Sequence, residues 1–304
     1  MAVFPELPKG IPHGDMPGDS VVIGPEHEMK ARLIYDRLGE LLPLEQAGRT
    51  VIALCGGSGV GKSEIASVLA FYLRANGIGA YVLSGDNYPH RIPRDNDRER
   101  ERVFREGGVK GLAAQGLLCP EIMDALREHW ARETDADPAA DENCPWLTVY
   151  QRAGRRALTD YLGTENEIGF SELSDILARF HQGEERIYLR RLGRTPEELW
   201  YDRVDLSGVR VLIVEWTHGN SDHLSGIDLP ILLNSTPAET LAHRRSRHRD
   251  GKTDSAFTAM VLDIEQKKLE AQAHKARLIV SKQGQELSYA EYRKLMAESQ
   301  GGAL

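Results

Sequence analysis

Val51-Ile52-Ala53-Leu54-Cys55-Gly56-Gly57-Ser58-Gly59-Val60-Gly61-Lys62-Ser63 decides how this chain folds. An apolar run of strand length enters a G-x-x-x-x-G-K-[ST] loop, and Ile65, Val68, Leu69 and Tyr72 then recur at helical spacing until Asn76-Gly77 stops them. Glycine tolerates positive φ, so the backbone N–H groups of Gly57, Ser58, Gly59, Val60 and Gly61 can curl around a phosphate. The positive end of the following helix points at the same anion. Lys62 adds a cation for the outer phosphates, and Ser63 a hydroxyl that can ligate magnesium. The pattern predicts a site for a nucleoside triphosphate.

Outward from this loop, short apolar strands alternate with helices. Residues 26 to 42 predict a helix with Met29, Leu33, Ile34, Leu38 and Leu41 along one side. Strands are expected at 51–55, 80–84, 209–214, 229–233 and 276–280. Capping boxes mark helix starts at Thr236-Pro237-Ala238-Glu239, Thr195-Pro196-Glu197-Glu198 and Ser288-Tyr289-Ala290-Glu291. Between the second and third strands lie more than a hundred residues with helical periodicity, such as Ile122, Leu126 and Trp130, then Leu173, Ile176 and Phe180. Glu133 to Pro145 reads as an exposed loop within them. The expected fold class is α/β, a doubly wound parallel five-stranded sheet of the P-loop NTPase type with a mostly helical insertion. The expected division is 1–48, an N-terminal arm and helix; 49–105, the first part of the core; 106–205, a helical substrate or lid insertion; and 206–304, the second part of the core.

With 304 residues and a net charge of -8, the chain suits an enzyme of small molecules better than a nucleic-acid-coating protein, which needs clustered basic surface. Cys55, Cys119 and Cys144 lack metal-site spacing and suit a reducing, cytoplasmic compartment. No membrane-spanning run or signal segment is expected. A homodimer is compatible with the sequence. The charge-rich stretch Arg94 to Arg105 reads as a solvated helix face.

Ligands of open parallel sheets sit beyond the carboxyl ends of the strands. The second strand ends at Ser84-Gly85-Asp86-Asn87-Tyr88-Pro89-His90-Arg91, where Asp86 can accept the proton of an attacking hydroxyl or orient it. Tyr88 is a candidate for stacking on substrate. His90, Arg91 and Arg94 are candidates for neutralising an anionic acceptor, although each alone also reads as an ordinary surface residue. The third strand runs into Glu215-Trp216-Thr217-His218-Gly219-Asn220, and an abrupt carboxylate after a buried apolar strand points to a magnesium shell shared by Glu215 and Ser63. His218 reads equally as a substrate contact or as a structural histidine. The helix opened by Thr236-Pro237 carries Arg244, Arg245, Arg247 and Arg249 before Asp250-Gly251, which suggests an arginine lid over the phosphates.

Taken together, the loop Gly56 to Ser63, Asp86-Asn87-Tyr88, Glu215, and Arg244-Arg245 with Arg249-Asp250 resemble the phosphoribulokinase and uridine kinase family of P-loop kinases. The resemblance covers residues 50 to 90 and 205 to 285. It implies magnesium-ATP as donor, Asp86 as base, catalytic support from Lys62, Glu215, Arg245 and Arg249, nucleotide contacts from Arg244, and a small-molecule acceptor. Trp216 stands where that family usually has glycine, and residues 105 to 205 do not match it. A nucleoside, a sugar or a related hydroxy compound all fit as acceptor. The alternative is a nucleotide-binding regulatory or switch protein; Asp205-Leu206-Ser207-Gly208 matches D-x-x-G but precedes its strand, and no N-K-x-D motif is present.

Overall fold

The computed structural model describes residues 2–8, 10–18, 20–42, 48–141, 144–236, 239–240 and 255–301. Its sheet is built from β1 (Thr50–Gly56), β2 (Ala80–Ser84), β5 (Val211–Glu215), β6 (Leu229–Leu233), β7 (Leu278–Val280) and β8 (Glu286–Leu287). The spatial order is β2-β5-β1-β6-β7-β8. The first five strands are parallel, as the sequence predicts, and a two-residue antiparallel edge, β8, is added. The third and fifth strands start two residues later than expected, at Val211 and Leu278.

The pleat of β1 shows why the sheet is covered on both sides. Ile52 and Leu54 point into one core with α1 (Pro25–Leu41) and α2 (Lys62–Ala75), which contribute Ile34, Leu38, Ile65 and Leu69. Val51 points the other way, into a core shared with α6 (Phe170–His181) through Leu173 and Leu177. Of the α1 residues placed on one side by periodicity, Ile34 and Leu38 are fully buried, whereas Met29 is 44% exposed.

Between β2 and β5 run α3 (Pro93–Ala114), α4 (Pro120–Arg132), α5 (Pro145–Tyr161) and α6, followed by an antiparallel hairpin of β3 (Arg186–Leu192) and β4 (Leu199–Asp205). The hairpin corrects the reading of Thr195-Pro196-Glu197-Glu198 as a helix start. The Glu198 carboxylate does accept from the Arg194 and Thr195 amides, at 2.7 and 3.3 Å, but these bonds close the hairpin turn. Helix α3 packs along α5 on a seam of small residues, so close that a Cβ on Gly154 would meet the Phe104 carbonyl oxygen at 2.6 Å. Helix α7 (Ala256–Gln272) joins this layer through Val261 and Ile264. The capping boxes at Thr236 and Ser288 are both formed, the second opening α8 (Tyr289–Gly301).

Candidate active site

The phosphate loop takes its shape from two left-handed glycines, Gly59 at φ 79° and Gly61 at φ 91°. Gly61 also has no room for a side chain, because a Cβ there would lie 2.8 Å from the His27 ring of α1. Lys62 folds back over the loop and donates to the carbonyls of Gly56 and Gly57, each at 3.1 Å. Its ammonium therefore sits on the concave loop at the first turn of α2, where an anion is favoured.

Glu215 ends β5 beside this loop and is buried. Its carboxylate accepts from Ser63 Oγ at 3.2 Å and Ser84 Oγ at 2.6 Å. Burial, followed by the nearby Asp86 charge, pushes the Glu215 carboxyl above the usual carboxylate range, against the pull of Lys62. An apposed hydroxyl and carboxylate are hard oxygen donors that suit Mg2+, which uses one or two protein groups and takes its remaining ligands from water and phosphate. Among the described residues no cluster of three or more His, Cys, Asp or Glu could hold a metal by itself.

Asp86 is exposed on the 3-10 turn Gly85–Asn87 that follows β2. Trp216 explains that turn's glycine, since a Cβ on Gly85 would fall 2.0 Å from the indole. The residue that departs from the resembling family thus backs the turn that presents Asp86. Asp86 faces a cavity of about 480 Å3, whose wall also includes Ser58 of the phosphate loop and Thr217 after β5. Further wall comes from α3 (Asn96, Asp97, Arg100, Glu101, Phe104, Arg105), α7 (Phe257, Val261, Leu262, Glu265), the hairpin (Leu192, Arg194) and the N-terminal arm (Met16, Pro17).

The other expected residues divide. Arg91 lines the cavity and donates to Tyr161 Oη at 3.1 Å. His90 lies outside the lining, with its Nε2 2.8 Å from the Glu165 carbonyl. Tyr88 corrects its assignment as a substrate contact. It is fully buried in the core with Phe170 and Trp216, because the aromatic ring completes the apolar layer beneath the turn. His218 packs edge-on to Trp216 at 5.3 Å and Phe170 at 6.2 Å, and burial pushes its pKa down to about 4. It does not line the cavity; the structure favours its structural reading. Arg244, Arg245 and Arg249 lie outside the described residues.

Several site residues were missed. The reading of Arg94 to Arg105 as a solvated face fits Arg94, Arg98 and Arg102, which stay exposed. It fails for Arg100, which bonds the buried Glu167 at 2.6 Å and approaches Glu265 at 3.4 Å. It fails also for Arg105, which bonds Asp135 at 3.1 Å and lies over the Trp130 ring. Asp135, read as part of an exposed loop, is buried and also accepts from Tyr150 Oη at 3.0 Å. Helical spacing from Asn96 through Arg100 to Phe104 would have placed these residues on one face, but nothing local shows that the face looks inward.

A phosphate loop opening α2, a hydroxyl-carboxylate pair at its edge and an acid across a shared cavity define a nucleotide-binding protein of the P-loop α/β fold. The profile of the adenylylsulphate kinase family matches residues 48–114. Over 255 residues, 84% of this chain, the sequence is 37% identical to the bifunctional alpha-galactosidase/sucrose kinase AgaSK of Mediterraneibacter gnavus, of which the match spans 22%. A chloroplastic adenylyl-sulfate kinase of Catharanthus roseus is 41% identical over 83 residues, 25% of this chain and 26% of that protein. The D-glycerate 3-kinase of Cryptococcus neoformans superposes with a TM-score of 0.49 at 11% identity, covering 88% of this chain and 99% of that one. Among the described residues no helix is long and apolar enough to cross a membrane.

Proposed function

We propose that this protein is a cytoplasmic kinase that uses magnesium-ATP to phosphorylate a hydroxyl of a small, uncharged polyhydroxy acceptor, with a saccharide as first candidate. The observation that carries the reading is the single cavity into which both Ser58 of the phosphate loop and Asp86 open. Donor binding falls to the core segments 49–105 and 206–304. Acceptor binding falls to the 106–205 insertion together with α3, α7 and the arm.

In this reading the backbone from Gly57 to Ser63, with Lys62, holds the β- and γ-phosphates. Ser63 and Glu215 would hold Mg2+, which neutralises charge on the phosphates and orients them for in-line transfer. Asp86 takes the proton of the acceptor hydroxyl as its oxygen forms a bond to the γ-phosphorus and the bridging bond to ADP breaks. Arg244, Arg245 and Arg249 are proposed as the lid over the phosphates.

The lining favours an uncharged acceptor. Arg100 is paired with Glu167 and Glu265 and Arg105 with Asp135, and beyond these pairs Arg91 and Arg194 are outnumbered by Asp86, Asp97, Glu101 and Glu133. Such a wall offers many hydrogen-bonding groups to hydroxyls and a net repulsion to an anion such as adenylyl sulfate. Phe104 and Phe257 add apolar surface suited to a ring face. The similarity to a protein named as a sucrose kinase runs through this region, whereas that to the Catharanthus adenylyl-sulfate kinase spans 25% of the chain.

The test is ATP consumption with magnesium across sucrose, monosaccharides, nucleosides and hydroxy acids, with mass spectrometry of products. A phosphorylated sugar is the expected outcome. ATP binding without transfer to any acceptor, and hydrolysis only on adding a protein partner, would replace this reading with that of a nucleotide-dependent regulator.

A further inference from the structure

Residues 2–8, 10–18 and 20–24, ahead of α1, lie along the core as a strap. Phe4 packs edge-on against Tyr35 and Tyr72 at 5.2 and 5.0 Å, and Ile11 is buried in the core. These contacts explain how the strap is held, but Asp15 lies past them, at the site. Its Oδ1 accepts from the Ser84 amide at 2.7 Å and from Asn87 Nδ2 at 3.2 Å; its Oδ2 accepts from Tyr81 Oη at 3.1 Å and pairs with Arg191 Nη1 at 2.9 Å. Ser84 and Asn87 bracket Asp86, and Arg191 belongs to β3 of the hairpin. The Asn87 side chain completes the connection by accepting from the Leu192 amide at 3.0 Å. Burying a carboxylate is costly unless it is paired and hydrogen-bonded, and this one meets partners from β2, the turn that follows it and the hairpin. Directly after it, Met16 and Pro17 enter the wall of the cavity.

We propose that the N-terminal strap is a built wall of the acceptor cavity: Asp15 is a positioning residue that latches strap and hairpin to the turn carrying Asp86, and Met16 is a specificity-determining residue that limits acceptor size. This rests on the kinase reading above. A strap that served only to close the core would need Phe4 and Ile11 but not a four-partner carboxylate beside the catalytic turn.

The experiment uses the full chain with ATP and two acceptors of different size, sucrose and glucose, and compares Met16→Trp, Met16→Ala and Asp15→Asn with the unsubstituted protein. Met16→Trp is expected to raise the KM for sucrose about tenfold or more, with less effect on glucose and none on ATP, because the added indole takes space that the larger sugar needs. Asp15→Asn keeps the shape but loses the charge, and is expected to lower kcat for both acceptors about tenfold while ATP affinity is retained. Sucrose and glucose KM values unchanged in both Met16 variants would overturn the proposal. If Asp15→Asn does not fold, Arg191→Lys provides the same kinetic comparison. If the unsubstituted protein phosphorylates neither sugar, the kinase reading is what has failed for these acceptors, and the latch is read by hydrogen exchange instead. Asp15→Asn should then speed exchange together in residues 84–88 and 186–192, and exchange unchanged in either segment would overturn the latch.

Discussion

The two halves of the candidate site are built in opposite ways. The phosphate loop is one run of consecutive residues, Gly56 to Ser63, shaped by glycine backbone angles and the dipole of the helix it opens. The acceptor cavity gathers side chains from Met16 to Glu265 and holds them with ion pairs between distant segments: Asp15 with Arg191, Arg100 with Glu167, Arg105 with Asp135. Backbone donors suit a triphosphate whatever the acceptor is. Side-chain lattices can be re-cut to a new acceptor without touching the loop, but each cut disturbs packing. Substitutions in the first half should therefore change chemistry at constant stability, and substitutions in the second should change both.

The largest effect is expected where the halves meet. Asp86→Asn removes the proton acceptor without adding bulk on an exposed turn, so transfer should fall by about 10²–10⁴-fold while ATP affinity and the unfolding midpoint stay put. Near-normal turnover in this variant would remove Asp86 as base. Lys62→Ala acts on the donor half alone. Loss of one charged group over the phosphates is expected to cost about 10²–10³-fold in turnover and to weaken ATP binding, which titration calorimetry would read separately from acceptor KM. A changed acceptor KM at saturating ATP would mean that the halves are coupled more tightly than their construction implies.

The same contrast sets what the sequence made legible. The strand at 80–84, the strand at 229–233, the loop and Glu215 lie within local patterns, because apolar runs, glycine spacing and an abrupt carboxylate are short-range signals. Residues 186–192 alternate only loosely, and β4 is exposed along nearly its whole length, so the hairpin carried little hydrophobic contrast against the surrounding helical periodicity. Arg100 and Arg105 sit among other charged residues on α3. Whether such a side chain faces solvent or a cavity is decided by Glu167 and Asp135, 67 and 30 positions away. Asp15 was passed over for the same reason: its partners Tyr81 and Arg191 are 66 and 176 positions distant.

Glu167→Gln sharpens the comparison on the acceptor side. The Glu167 carboxylate accepts from Asn96 Nδ2 at 3.1 Å, Arg100 Nε at 2.6 Å and the Gly163 amide at 2.6 Å. Burial alone would raise its pKa, yet the Arg100 charge and these bonds hold it below the usual carboxylate range. Neutralising it leaves a half-buried guanidinium with Glu265 and the exposed Asp97 as its remaining counter-charges, an expected loss of about 3 kcal/mol in urea unfolding. ATP affinity should be unchanged. Replacing both partners, Arg100→Met with Glu167→Gln, should recover part of that loss, since the guanidinium leaves together with its partner and Glu265 keeps Lys62 as a nearby cation.

His218 tests the boundary itself, because it follows β5 on the donor side yet feels Glu167 and Arg100 on the other. Burial holds the folded imidazole at about 4, below the roughly 6.5 of an unfolded histidine, so between these values the unfolded chain binds more protons. The stabilisation from keeping His218 neutral is complete above about pH 6.5 and is lost as pH falls through 4, amounting to about 2 kcal/mol lost by pH 5. Glu215 and Glu265, both pushed upward, titrate with the opposite slope, so the readout must be a difference between two proteins. His218→Gln cannot be protonated. Its stability relative to the unsubstituted chain should therefore improve by about 2 kcal/mol between pH 7.5 and pH 5 in urea unfolding. A difference that does not move with pH would mean that the folded imidazole takes up its proton normally, and that solvent reaches the seam between the two halves.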